Sequence, residues 1–303
     1  MTMLDYSLLA ALAAVVREGS FERAAKVLHV TPSAVSQRIR LLEERIGQVL
    51  VVRGQPCTAT NAGRLLCRHA EQVGGLEQAL QRELPALAAG DAGFVTLRVA
   101  VNADSLATWF IAAAAAFTEH EQALLDVSLD DQDHTAERLR SGDVVAAVCA
   151  LAAPVQGCRS VPLGRLRYVA TASPAFMQRH FASGVDAPSL ARAPCLTFNQ
   201  KDRLQALWLQ QALGAQIEVP RHWLPASQAF VDASLAGLGW GMNPAPLVAD
   251  ALARGALVPL LPGVDLQVPL YWQHARAAGP QLQRLSSAVV AAAQAALEPP
   301  TQP

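Results

Sequence analysis

The stretch from Ser20 to Gly47 leaves this chain few ways to fold. Ser20 is an N-cap residue, and Phe21, Ala24, Ala25 and Leu28 after it share one helical face. A break follows at His29-Val30. Thr31 then caps a second helix, with Pro32 in the first turn, where a missing N–H costs nothing. Val35, Ile39, Leu42 and Ile46 form its apolar stripe, and Gly47 ends it. Ala24 and Ala25 are small enough to let the two helices approach closely, while Val30, Val35 and Ile39 fill the angle between them. The outward positions of the second helix are Thr31, Ser33, Ser36, Gln37 and Arg40. Short donors and acceptors with basic neighbours are the inventory that reads base edges and phosphates in a major groove. An ordinary helical hairpin with a solvated basic face is the competing reading.

The flanks extend this pattern. Leu8, Leu9, Leu12, Val15 and Val16 predict a helix ending at Gly19. Val49–Val52 and Cys57–Thr60, joined through Gly54-Gln55-Pro56, predict two small strands of a wing. Thr60 caps a long helix expected from about Asn61 to about Ala88, weakened at Gly74-Gly75 and frayed at Pro85, with a hinge at Gly90–Gly93. From Phe94 onward strands and helices alternate, which implies a mostly parallel sheet covered by helices. Expected strands are Leu97–Val101, Leu125–Asp130, Val144–Ala150, Arg167–Ala172, Cys195–Phe198, Gly239–Met242, Leu257–Pro259 and Leu266–Trp272. A final helix is expected from about Gln281 to Ala296.

Composition narrows the function classes. Hydrophobic residues make up 52% of the 303 and charged ones 16%, so large cores are expected. The longest apolar candidate, Leu106–Phe117, falls short of the ~18 residues a membrane helix needs. With no export signal evident, a cytoplasmic protein without membrane contact is expected. Cys57, Cys67, Cys149, Cys158 and Cys195 show no Cys-x-x-Cys spacing, which argues for buried thiols rather than disulfides or zinc. The seven histidines lack metal-ligand spacing. No nucleophile elbow, phosphate loop or dinucleotide fingerprint appears, so neither an enzyme nor a cofactor or metal site is expected. Residues 1–68 hold nine Lys/Arg against five Asp/Glu, and the remainder fifteen against twenty, placing any nucleic-acid contact at the N-terminus.

Gly19-Ser20-Phe21, Ala24-Ala25, Leu28, Ser33, Val35-Ser36-Gln37, Ile39, Leu42-Glu43, Gly47, Leu50, Arg53 and Thr60-x-x-Gly63 closely resemble the DNA-binding head of LysR-type transcriptional regulators. The resemblance covers essentially the whole chain. It implies a winged helix-turn-helix head (1–60), a linker and dimerisation helix with hinge (61–93), and a periplasmic-binding-protein-like effector domain of two α/β lobes (94–303). Lobe I would take about 94–165 and 266–303, lobe II about 166–265. It also implies double-stranded promoter DNA as partner, a homodimer or homotetramer, and contact with RNA polymerase. Thr31, Ser33, Ser36 and Gln37 would approach bases or phosphates, with Arg40 on a phosphate and Arg53 the wing cation. Pro32 departs from the glutamine many members carry there. Arg23 and Lys26 read equally as backbone contacts or a solvated face. Arg38 and Arg45 are expected to pair with Glu43 or Glu44.

Ligands in open α/β lobes settle beyond strand carboxyl ends, near helix N-termini. Asn102, Asp104, Ser105 and Leu106 lie there, with backbone N–H groups around Ser105 and Leu106, together with the Ser105 hydroxyl, expected to hold a carboxylate. Helix capping is the plainer reading for Asp104 and Ser105. Asp130 and Asp131 after the second strand would receive a cation, or form a solvated loop. Phe198, Asn199, Ser227 and Phe230 occupy comparable places in the second lobe. Val99–Trp109 resembles the ArgP/LysG subgroup of basic amino-acid export regulators. So do Ser33–Ile39, Glu137-Arg-Leu-Arg140, Gly142-x-Val-Val145 and Tyr271-Trp-x-His274. That likeness implies L-lysine or L-arginine as effector and an exporter gene as target. The alternatives are a regulator with another effector, or a nucleoid-like DNA binder of low specificity.

Overall fold

The computed structural model describes residues 4–83, 94–129, 135–276 and 279–300, and of 78–83 the backbone alone. At the N-terminus α1 (Tyr6–Glu18) is capped by the Asp5 side chain and closes at Gly19, φ +64°. The Ser20 hydroxyl accepts from the Arg23 N–H to start α2 (Phe21–Val27), and Thr31 accepts from Ala34 to start α3 (Pro32–Ile46). Leu9, Leu12, Val15, Ala24, Val35, Ile39 and Leu50 close the core between them, each at 0–1% exposure, so packing alone fixes the angle of α3. β1 (Val51–Val52) pairs antiparallel with β2 (Thr58–Ala59), a wing shorter than the expected strands.

The joint between wing and α4 (Asn61–Glu83) explains the Thr-x-x-Gly spacing. Thr60 Oγ1 donates to the Val49 carbonyl at 2.8 Å and accepts from the Gly63 N–H at 3.1 Å. A Cβ on Gly63 would stand 2.1 Å from the Leu50 carbonyl oxygen, so only glycine lets the helix approach the wing this closely. The Glu43 carboxylate accepts from the Leu50 N–H at 2.8 Å and from the Val51 N–H at 3.4 Å. It anchors the wing rather than pairing with Arg38 or Arg45. Arg45 instead meets Asp5 at 3.6 Å. The expected continuation of α4 to Ala88 and the hinge at Gly90–Gly93 lie outside the described residues.

The larger region begins with β3 (Val95–Val101), the single turn α5 (Ala103–Ser105), a π-helical segment (Leu106–Phe110) and α6 (Ile111–His120). There follow β4 (Ala123–Leu129), α7 (Thr135–Ser141), β5 (Ala146–Cys149) and the long β6 (Cys158–Ala172). The next elements are α8 (Pro174–His180), α9 (Ala187–Leu190), β7 (Cys195–Thr197), α10 (Leu204–Leu213), β8 (Arg221–Trp223) and α11 (Ser227–Leu235). The chain ends through β9 (Gly241–Pro244), α12 (Ala245–Ala253), β10 (Val258–Pro259), β11 (Asp265–Ala275) and α13 (Pro280–Ala296). The main sheet runs β10-β6-β11-β5-β3-β4, with β9 also on β6, while β7 and β8 pair separately.

The sheet corrects the mostly parallel expectation. β3 is parallel to β4 and β5, but β11 runs antiparallel to β5 and β6, and β9 and β10 antiparallel to β6. The chain leaves the first lobe along β6 and returns along β11, and two neighbouring strands travelling in opposite senses must pair antiparallel. The first half of β6 escaped the sequence because Pro162 and Gly164 break its β pattern. Gly164 sits at φ +134°, and a Cβ there would meet the Glu298 carbonyl oxygen at 2.6 Å. Phe110, Phe176, Trp208, Trp240, Trp272, Leu285 and Val289 belong to one continuous buried cluster that spans the larger region. Among the described residues no helix is long and apolar enough to cross a membrane, and no group of three His, Cys, Asp or Glu is placed to hold a metal.

Candidate nucleic-acid interface and effector site

α3 turns Val35, Ile39 and Leu42 inward, so its other face is left to solvent. Thr31, Ser33, Gln37 and Arg40 are exposed there and Ser36 is half-buried. The Thr31 and Ser33 hydroxyls lie 2.9 Å apart. Arg40 reaches Glu44 at 3.4 Å, with its side chain 82% exposed; a pair so open is worth little and gives way readily to a phosphate. In the wing, the Arg53 guanidinium stands 5.3 Å from the Phe21 ring centroid. That contact holds the cation beside the start of α2 without neutralising it, at about 0.5–1 kcal/mol for an exposed site. Fixed helix, short polar groups and two available guanidinium groups make an exposed surface with the chemistry that a duplex groove and its flanking phosphates call for.

The second site lies where β3 ends. The Asn102 side chain accepts from the Ser105 N–H at 2.7 Å, and its carbonyl accepts from the Leu106 N–H at 3.0 Å. Both N–H groups expected to cradle a carboxylate are therefore occupied by Asn102. The Ser105 hydroxyl is fully buried with no hydrogen-bond partner among the described residues, an arrangement that calls for an explanation. The Asp104 carboxylate accepts from the Tyr168 hydroxyl of β6 and from the Ser227 hydroxyl at the start of α11, each at 2.6 Å. One acid thus ties the turn after β3 to β6 and to the start of α11.

Burial pushes the Asp104 carboxyl above its ordinary value; the Ser227 and Tyr168 hydroxyls pull it down, and nearby Asp202 pushes it up again. Burial, then Asp104 itself, drives the Tyr168 phenol well above its usual range. Asp202 is held in place by N–H bonds from Phe198 and Leu204 at 2.9 and 3.0 Å. Hydroxyl groups of Tyr168 and Ser227 answer Asp104, and Asp202 lies near enough to act on it as a second carboxylate. The π-helical turn directly after Ser105 widens the helix at this point, a distortion frequent at functional sites.

The structure brings Asn102, Asp104, Ser105 and Ser227 into this cluster, with Leu106 half-buried beside it. Phe198 is half-buried and contributes its N–H to Asp202. The Asn199 side chain accepts from the Lys201 and Asp202 N–H groups, which closes its own turn. Phe230 is 5% exposed, and its ring lies against Gly241. Asp130 and Asp131 lie outside the described residues. Sequence reasoning missed Tyr168 and Asp202. Tyr168 sits in an apolar strand that reads as core, while the Asp202-Arg-Leu start of α10 reads as an ordinary cap.

Residues 6–64 match the family of bacterial regulatory helix-turn-helix proteins of the lysR family, and residues 91–294 match the LysR substrate binding domain. The HTH-type transcriptional regulator ArgP of Pseudomonas aeruginosa PAO1 is 47% identical over 293 residues, covering 97% of each chain. The crystal structure of ArgP from Mycobacterium tuberculosis superposes with a TM-score of 0.83 at 45% identity, over 98% of this chain and 100% of that one. Full-length LysG from Corynebacterium glutamicum with bound effector Arg gives a TM-score of 0.74 at 36% identity, over 98% and 100%. With both halves matched and the likeness running almost end to end, the chain belongs to the LysR family of transcription regulators, which bind promoter DNA and small-molecule effectors, form oligomers and are not enzymes.

Proposed function

We propose that this regulator is sequence-specific, that its effector is L-arginine or L-lysine, and that it controls a gene for a basic amino-acid exporter. The observation that carries the reading is Asp104: a half-buried, desolvated carboxylate just past the end of β3, faced by a second acid and by hydroxyl groups. A ligand that brings its own positive charge relieves the cost of keeping that acid ionised. The Ser105 hydroxyl is the donor left for a ligand carboxylate, because the neighbouring N–H groups are spent on Asn102. An amino acid with a cationic side chain satisfies both ends. The arginine bound to the related LysG supports the same class.

In this reading residues 1–60 form the DNA-binding head, 61–93 pair two subunits, and the lobes of 94–303 respond to the ligand. Thr31, Ser33, Ser36, Gln37, Arg40 and Arg53 meet the operator. The protein works in the cytoplasm as a dimer or tetramer that engages RNA polymerase at the promoter. Effector binding shifts the lobes, and with them the spacing of the heads, provided the ligand favours one arrangement over the other. A thermal-shift screen of the common amino acids tests the effector. L-Arginine and L-lysine are expected to raise the melting temperature while L-leucine and L-glutamate leave it unchanged; equal shifts with all four would overturn the reading.

A further inference from the structure

α4 carries the heads and β3 leads into the effector cluster, and the two elements are joined side chain to side chain. Arg98 on β3 forms an ion pair with Glu71 on α4. One turn earlier on α4, Arg68 Nη1 donates to the Arg140 carbonyl at the end of α7, at 2.8 Å. Gly142 then turns the chain at φ +74°, and a Cβ there would stand 2.1 Å from the Arg68 Cδ. Glycine leaves the groove in which the Arg68 side chain lies. The joint is partly open to solvent, with the Arg98 and Glu71 side chains 42% and 44% exposed, while burial, with Glu71 beside it, pushes the neighbouring Cys67 thiol up to about 12. Burial also holds the Glu71 carboxyl above its usual value, against the pull of Arg98 and Arg17 and with a push from Asp143.

We infer that Arg68 and Glu71 of α4, with Arg98 and Gly142 of the effector domain, form a two-point clasp that couples the effector cluster to the DNA-binding head. The path is short. Arg98 and Asn102 stand at the middle and just past the end of β3, about 13 Å apart at the rise of a strand. A sheet strand is stiff along its length, so displacement of Asn102–Ser105 by a ligand moves Arg98 and with it α4. The second point tethers α4 to the turn after α7, so the helix follows the lobe as a lever rather than pivoting on one ion pair. The clasp gives a physical reason for Gly142 in the Gly142-x-Val-Val145 pattern, which no ligand or DNA contact explains.

Coupling by this route rests on the amino-acid reading above, but the clasp itself does not, and the test separates them. Hydrogen exchange of the full-length protein reads the joint directly, with or without an effector. Gly142→Ala and Glu71→Arg are each expected to speed exchange of amides in 64–72 and 138–145 about tenfold or more, as the contact opens. The charge-swapped pair Glu71→Arg/Arg98→Glu is expected to restore protection. Calorimetry with L-arginine is expected to give affinities within about twofold of the parent for all variants, while the single variants lose most of the effector-induced change in DNA affinity, a change typically about 5–150-fold. Undisturbed exchange in both single variants, or no recovery in the swap, would overturn the clasp. A full effector response in Glu71→Arg with exchange increased would overturn its coupling role. If L-arginine fails to bind even the parent, the effector assignment falls and the exchange data alone decide the clasp.

Discussion

The α3 face proposed to meet DNA and the Asp104 cluster proposed to bind the effector are built on opposite principles. The face of α3 is local: every group comes from one helix and an adjoining wing, and the core behind it only fixes its angle. The cluster is assembled at a distance, with Asp104 meeting Tyr168 and Ser227 from other elements of the chain. The first leaves weakly committed cations open to solvent, where the proposed DNA would meet them. The second buries an acid and waits for a charge. A local surface tolerates the loss of a single contact, whereas a buried network loses most of its function with one atom.

Ile39→Ala breaks the comparison most severely. It leaves a void at the centre of the head, with an expected cost of about 2–5 kcal/mol. DNA binding should collapse in an anisotropy titration, while calorimetry shows L-arginine affinity intact. Loss of both would mean that the two regions do not fold apart. Next comes Asp104→Asn, which keeps the shape and removes the charge. L-Arginine affinity is expected to fall by about 10–100-fold, the loss of a charged hydrogen-bonded partner at about 1.5–3 kcal/mol, with DNA affinity in the absence of effector unchanged.

Arg40→Ala and Arg53→Ala should act more gently. Each is expected to weaken binding to all duplexes by a similar factor and to lower the salt slope by about 1, the signature of one lost phosphate contact. Strong loss on one sequence alone would reassign that arginine to a base. The smallest effect is the pH dependence. Asp104 in the free protein has a raised pKa, so acidification protonates it earlier than an ordinary carboxylate. A bound cation favours the ionised form. L-Arginine affinity should therefore be complete above that raised value and decline as pH falls through it, and the Asp104→Asn variant should show no such decline.

The same contrast explains what was legible in the sequence. The caps at Ser20 and Thr31, the stripe of Val35, Ile39 and Leu42, and the stop at Gly47 are short-range signals, and the structure has them all. The Thr60-x-x-Gly63 spacing is visible as a pattern, but its reason, a helix packed onto the Leu50 carbonyl, exists only in three dimensions. The second half of β6 and most of the later helices carried periodicity; α8, α9 and α12 passed unread among Ala- and Pro-rich segments. Asp104 and Ser227 were singled out because they stand at a strand end and a helix start. Tyr168 was not, because a tyrosine among Val169 and Ala170 on a strand looks like core until its hydroxyl is seen to meet an acid. The carboxylate cradle failed at the same level of detail, since nothing in the sequence shows that Asn102 takes both N–H groups for itself.

On the proposed function, a charge sensed at Asp104 changes how the α3 face meets DNA. The most direct measurement is footprinting of the full-length protein on genomic fragments that it selects from a library, with and without L-arginine. The expected result is protection of paired half-sites a whole number of helical turns apart, with a pattern that shifts on adding L-arginine and not L-glutamate. Uniform protection of every fragment, or one footprint identical in the presence and absence of L-arginine and L-lysine, would contradict it.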